Sequence, residues 1–138
     1  MKYLVLLVLA ACDHHGAASC ADDLGGVYVT PAGARWQLLD NGPTLEAFPM
    51  FPDGGGSGDL VAAPRAIDLT RTGDRLEGSV SRRSMRRAES CTGRAPFHVT
   101  ACKDGLDVVA GDVAPPLVLT PCTPAPPLAS RAEHWRRE

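Results

Sequence analysis

Aromatic residues are scarce: three Phe, two Tyr and two Trp make up 5% of the 138 residues. A core with so few rings must be built from Val, Leu, Ile and Ala, which bury less area each, so covalent staples gain importance. Lysine is nearly missing, with Lys2 and Lys103 alone among Arg residues. The net charge of −2 lacks the basic excess of a nucleic-acid binder, and no nucleic-acid partner is expected. No apolar run reaches the roughly 20 residues that a membrane-spanning helix needs. Amphipathic helices are missing too, because twelve Pro interrupt the chain and no i, i+3, i+4, i+7 apolar set is sustained. Neither C-x-x-C nor H-x-x-x-H spacing occurs, which argues against a metal site, and no cofactor is expected. No Ser or Cys sits in a nucleophile-elbow or papain-like context.

What is present begins at the N-terminus. Met1 and Lys2 precede an unbroken apolar run, Tyr3 to Ala11, that ends in small residues. Such a run is an export signal rather than a span. Leu9-Ala10-Ala11-Cys12 resembles the bacterial lipobox. That resemblance implies cleavage before Cys12 and a diacylglyceryl group on its sulfur. Two or three acyl chains make a lasting anchor where one is marginal. The expected address is a bacterial envelope membrane, reached by export, with the choice of membrane left open by Asp13. The expected organisation is a signal peptide at 1–11, a lipidated tether at 12–19, a β-domain at 20–122 and a Pro-rich polar tail at 123–138.

Five cysteines are present. Assigning Cys12 to lipid leaves Cys20, Cys91, Cys102 and Cys122. An exported protein meets an oxidising compartment, so two disulfides are expected, with three connectivities open. The preferred pairing is Cys20 with Cys122, tying the ends of the domain, and Cys91 with Cys102, closing a local loop.

Leu24 to Thr30 alternates as a first strand and stops at Pro31. Three hairpin signals follow. Asn41-Gly42 suits a type I′ turn and sets Leu38 opposite Leu45 and Trp36 opposite Ala47. Gly73-Asp74 suits a II′ turn and sets Ile67 opposite Val80 and Arg71 opposite Leu76. Asp104-Gly105 sets Ala101 opposite Val108 and Val99 opposite Ala110. Each register gathers apolar residues on one face, and their agreement outweighs any one of them. Leu117-Val118-Leu119 reads as the last strand, and Ser130 to Glu138 as a helical turn or an unstructured end. Met85 to Ser90 is readable as strand or loop, and Phe51 to Gly58 as a flexible loop. About eight antiparallel strands in sequence predict an all-β, small up-and-down barrel, with a two-sheet sandwich as the alternative. The opening Leu24-Gly25-Gly26-Val27-Tyr28 resembles that of lipocalin-like small barrels, with Tyr28 where that family carries Trp.

Candidate chemistry is thin. His14 and His15 lie in the tether, His134 in the tail, and His98 on the face opposite Phe97 and Val99. The carboxylates of Asp22, Asp23, Asp53, Asp59, Asp104 and Asp107 read as solvated turns and loops. Gly54 to Gly58 lacks the Lys-Ser/Thr ending of a phosphate loop. A non-enzymatic envelope protein is therefore expected, serving as a binding or structural module. Its first candidate site is an apolar barrel interior lined by Trp36, Leu38, Phe97 and Val99, gated by the Phe51–Gly58 loop, for a small apolar ligand; barrels of this size hold side chains or one small ligand. Trp36 and Trp135 are candidates to line it, with Trp36 otherwise plain core. The second is the basic stretch Arg82, Arg83, Arg86 and Arg87, facing an anionic envelope partner or protein. Strand alternation would split those four arginines between two faces.

Overall fold

A computed structural model of the chain describes residues 19–50, 65–86, 89–114 and 121–138. It is all-β, with eight strands: β1 (Gly26–Val29), β2 (Arg35–Asp40), β3 (Thr44–Met50), β4 (Ala66–Thr72), β5 (Arg75–Arg86), β6 (Glu89–Ala101), β7 (Leu106–Asp112) and β8 (Leu128–Arg137). Each strand pairs antiparallel with its neighbours in chain order, and β1 meets β8, so the sheet closes into an up-and-down barrel. Closure removes the sandwich alternative. Alternation explains the core: in β6, Cys91, Ala95, Phe97 and Val99 point inward and are buried, while Thr92, Arg94, Pro96 and Thr100 are exposed.

The Gly73-Asp74 hairpin keeps the predicted register, with Ile67 opposite Val80 and Arg71 opposite Leu76. Gly73 alone takes positive φ, at 64°, as a II′ turn requires. The other two hairpins pair two residues away from expectation. Leu38 faces Ala47 and Asp40 faces Leu45, because Gly42-Pro43 occupies the turn. Pro43 has no N–H for the ladder, and Gly42, at φ 84°, supplies the left-handed residue. Between β6 and β7, Val99 faces Val108 and Phe97 faces Ala110, and a bulge follows before Ala101. A bulge adds one residue to one strand, and Ala101 thereby leaves the core. A two-residue shift preserves the face of every side chain, so apart from Ala101 both hairpins still turn their apolar set inward.

The tail read as helical turn or unstructured is strand β8. Only Trp135 in it is buried. β8 pairs with β7 from Leu128 to Trp135 but meets β1 only at Arg136 and Arg137. The β-domain thus extends past 122 to the end of the chain. The segment Leu117–Leu119 lies outside the described residues.

The bonded pairs are Cys20–Cys102 and Cys91–Cys122, which corrects the preferred connectivity. The physical reason is the missed strand. Cys122 precedes β8 rather than ending the barrel, so it lies at the β6 start beside Cys91. Cys20 lies at the opposite end, against the β6–β7 turn.

That opposite end is sealed. Leu24, 5% exposed, plugs the core ahead of β1. Its N–H donates to Asp40 Oδ2 at 2.9 Å, and the Tyr28 hydroxyl donates to its carbonyl at 3.0 Å. Arg71 pairs with Asp40 at 2.6 Å with side chains only 12% and 3% exposed. Arg71 also donates to the carbonyls of Gly42 and Asp22. Burial raises the carboxyl of Asp40, but hydrogen bonds from Arg71, Leu24 and Gly42 outweigh it and hold the carboxyl below its ordinary 3.8. Burial pushes the Tyr28 phenol up, against a smaller pull from Arg137, so it remains a donor at neutral pH. Arg137 lies over the Tyr28 ring at 5.9 Å.

Candidate functional site

At the other end, the strands do not fill the barrel. A cavity of about 190 Å³ opens among Trp36, Ile67, Val80, Phe97, Ala110 and Trp135. Alternation aims these side chains inward from six different strands, which is why residues far apart in sequence meet there. Trp36 stacks on Trp135 with ring centroids 5.5 Å apart, and Phe97 meets Trp135 edge-on at 5.5 Å. Three of the chain's seven aromatic side chains therefore form one wall (three Phe, two Tyr and two Trp in all). Both of its tryptophans are among them.

Charge sits at the rim. Trp135 Nε1 donates to Glu133 Oε2 at 2.9 Å. Asp112 accepts from the N–H of Val113 at 2.8 Å and pairs with Arg65 at 3.0 Å. Arg131 stands 3.8 Å from Glu133, beyond hydrogen-bond reach, and its side chain is 70% exposed. Three larger depressions, of about 450, 460 and 310 Å³, lie elsewhere, lined chiefly by polar groups such as Asp22, Asp23 and Asp104, or Asp74, Glu77 and His98, or Thr70, Thr72 and Arg75. None has an aromatic wall of this kind.

The structure brings together some of the expected site and not the rest. Trp36 and Phe97 line the cavity. Leu38 and Val99 are buried at 3% and 7% but are not part of the cavity lining. The gating role given to Phe51–Gly58 falls outside the described residues, as does Cys12. The rim residues Arg65, Asp112, Arg131 and Glu133 were not anticipated. Asp112 ends β7 and Glu133 lies inside β8 two residues before the buried Trp135, but sequence spacing gave no sign that the two converge.

Of the basic stretch, the side chains of Arg82 and Arg83 are described. Arg82 is half-buried and donates to the Val113 carbonyl at 3.5 Å, while Arg83 is exposed and reaches Ser90 Oγ at 3.3 Å. Arg86 ends β5 opposite Glu89, and Arg87 lies outside the described residues. His98 lies on the outer face, opposite Glu77 in the ladder. His134 Nδ1 meets Asp107 Oδ1 at 2.6 Å on the same outer surface, both about half exposed. Among the described residues no three His, Cys, Asp or Glu side chains converge as metal ligands.

Fold and cavity together define a small eight-stranded antiparallel barrel, sealed at one end and hollow at the other. The chain matches no protein-family model, no curated protein and no solved structure.

Proposed function

We propose that the protein is an exported, lipid-anchored envelope module that binds a small apolar ligand in the hollow end of its barrel. The observation that carries this reading is the aromatic-walled cavity, apolar inside with a few placed polar groups at the rim, the usual make-up of a small-molecule site. Two disulfides accord with an oxidising, non-cytoplasmic compartment. The anchor rests on the lipobox-like Leu9-Ala10-Ala11-Cys12.

Both tryptophans face the cavity, so intrinsic tryptophan emission reports on this site alone. Small ring compounds titrated into the oxidised protein should shift or quench that emission saturably, with matching heats by calorimetry. Absence of any saturable change across such a panel would refute ligand binding. The address is tested separately by intact mass of membrane-extracted protein under non-reducing conditions. Expected are a start at Cys12, added acyl mass, and the loss of four hydrogens that two disulfides require.

A further inference from the structure

We infer that the cavity takes a compact, single-ring aromatic carboxylate, its ring against Trp36, Phe97 and Trp135 and its carboxylate on Arg131. The inference rests on the ligand-binding reading above and narrows it to a chemical class. Size comes first. A cavity of about 190 Å³ falls below the usual range for drug-sized ligands, about 300–1,000 Å³. It exceeds the roughly 150 Å³ that suffices to hold benzene in an engineered apolar cavity. One ring fits, and a long acyl chain does not. Shape agrees, because the wall offers both a stacked pair and an edge-on ring, the two geometries aromatic groups prefer.

Charge decides the rest. Each rim carboxylate already has a hydrogen-bond donor: Glu133 has the Trp135 indole, and Asp112 has the Val113 N–H and Arg65. Neither needs a cationic ligand. Arg65 is committed to Asp112. Among the described residues Arg131 meets no charged group other than Glu133, at 3.8 Å and across an exposed pair, where attraction is weak. Its planar fork of five N–H donors is the rim group free to engage a ligand, and a carboxylate matches it two-point to two-point. The fork is wide enough to keep Glu133 as a neighbour while it binds.

The test compares benzoate, benzyl alcohol, benzylammonium and dodecanoate by tryptophan emission and calorimetry on the full oxidised chain. Benzoate should bind about threefold tighter than benzyl alcohol, the gain open to an exposed ion pair, with benzylammonium weakest and dodecanoate unable to compete. Raising salt should shrink the benzoate advantage, because Arg131 is exposed. Arg131→Gln should erase that advantage and leave benzyl alcohol affinity unchanged; its exposure makes folding insensitive to the change. Benzyl alcohol binding as tightly as benzoate, or benzylammonium binding tightest, overturns the carboxylate assignment while ligand binding stands. Stoichiometric dodecanoate that displaces benzoate overturns the size class. If no ring compound binds at all, the inference and the ligand-binding reading fall together.

Discussion

The Arg71–Asp40 pair at the sealed end invites a quantitative test through Arg71→Met. The substitution keeps most of the side chain's bulk and removes its charge. Asp40, 3% exposed, would keep the N–H groups of Leu24 and Gly42, both at 2.9 Å, but lose its cation. Breaking a buried ion pair from one side costs about 3–5 kcal/mol. The Gly42 and Asp22 carbonyls lose a donor as well. Against this, Arg71 Nε is buried without a partner, and its removal relieves about 1–3 kcal/mol. The net expectation is a loss of about 2–4 kcal/mol at neutral pH, read by urea unfolding of the oxidised protein. The pH dependence carries a sign. In the parent, Asp40 titrates below 3.8 when folded, so its contribution is present above that value and is lost as pH falls through the folded pKa. In the variant, burial without the guanidinium moves the carboxyl upward, and a neutral Asp40 no longer needs Arg71. The stability gap should therefore narrow between neutral pH and about pH 4. A gap below about 1 kcal/mol, typical of surface pairs, or one that is the same at both pH values, would refute the reasoning.

Other expectations concern the frame. On the chain-entropy account, removing Cys20–Cys102, with a separation of 82, should cost about 4.5 kcal/mol, and removing Cys91–Cys122, with a separation of 31, about 3.7 kcal/mol; non-reducing peptide mapping and urea unfolding of paired Cys→Ser variants check both the pairing and the order. Gly78→Ala places a Cβ 1.9 Å from the Asp68 carbonyl oxygen, and should lose about 1–3 kcal/mol or more through overpacking. Gly73→Ala has open space but φ 64°, so thermal unfolding should show the smaller left-handed penalty of about 1–2 kcal/mol. Truncation before Leu128 should abolish cooperative unfolding by near-UV circular dichroism, whereas a dispensable tail would leave it intact. Trp135→Ala should cost about 3–5 kcal/mol as a buried ring lost from the core.

Strand positions were legible where turn chemistry and alternation agreed. Gly73-Asp74 fixed its hairpin because no neighbouring residue competed for the turn. Next to Asn41-Gly42, Pro43 did compete, and a residue that cannot serve the ladder took the turn instead. The β6–β7 pairing depended on a bulge, which leaves no reliable mark in a single sequence. β8 was illegible for a different reason: with β1 meeting only its last residues, much of it faces solvent, and Trp135 alone is buried to mark an inner face. That one omission misplaced Cys122 and, with it, both disulfide partners. The cavity wall was half legible, since Trp36 and Phe97 lie on recognisable strands. Its rim was not, because Arg65, Asp112, Arg131 and Glu133 converge only after closure.

The four-residue β1 pairs with β8 at two positions, extended by a bond from the Glu138 N–H to the Val27 carbonyl, and this is the shortest strand pairing in the wall. Cys20 lies ahead of it in the chain and is bonded to Cys102, between β6 and β7. A pull exerted along the chain from before Cys20 therefore passes through a covalent bridge into the β6–β7 connection rather than through β1 alone. Cutting that bridge reroutes the load onto the feeble junction, and the barrel would then unzip from its first strand at low force.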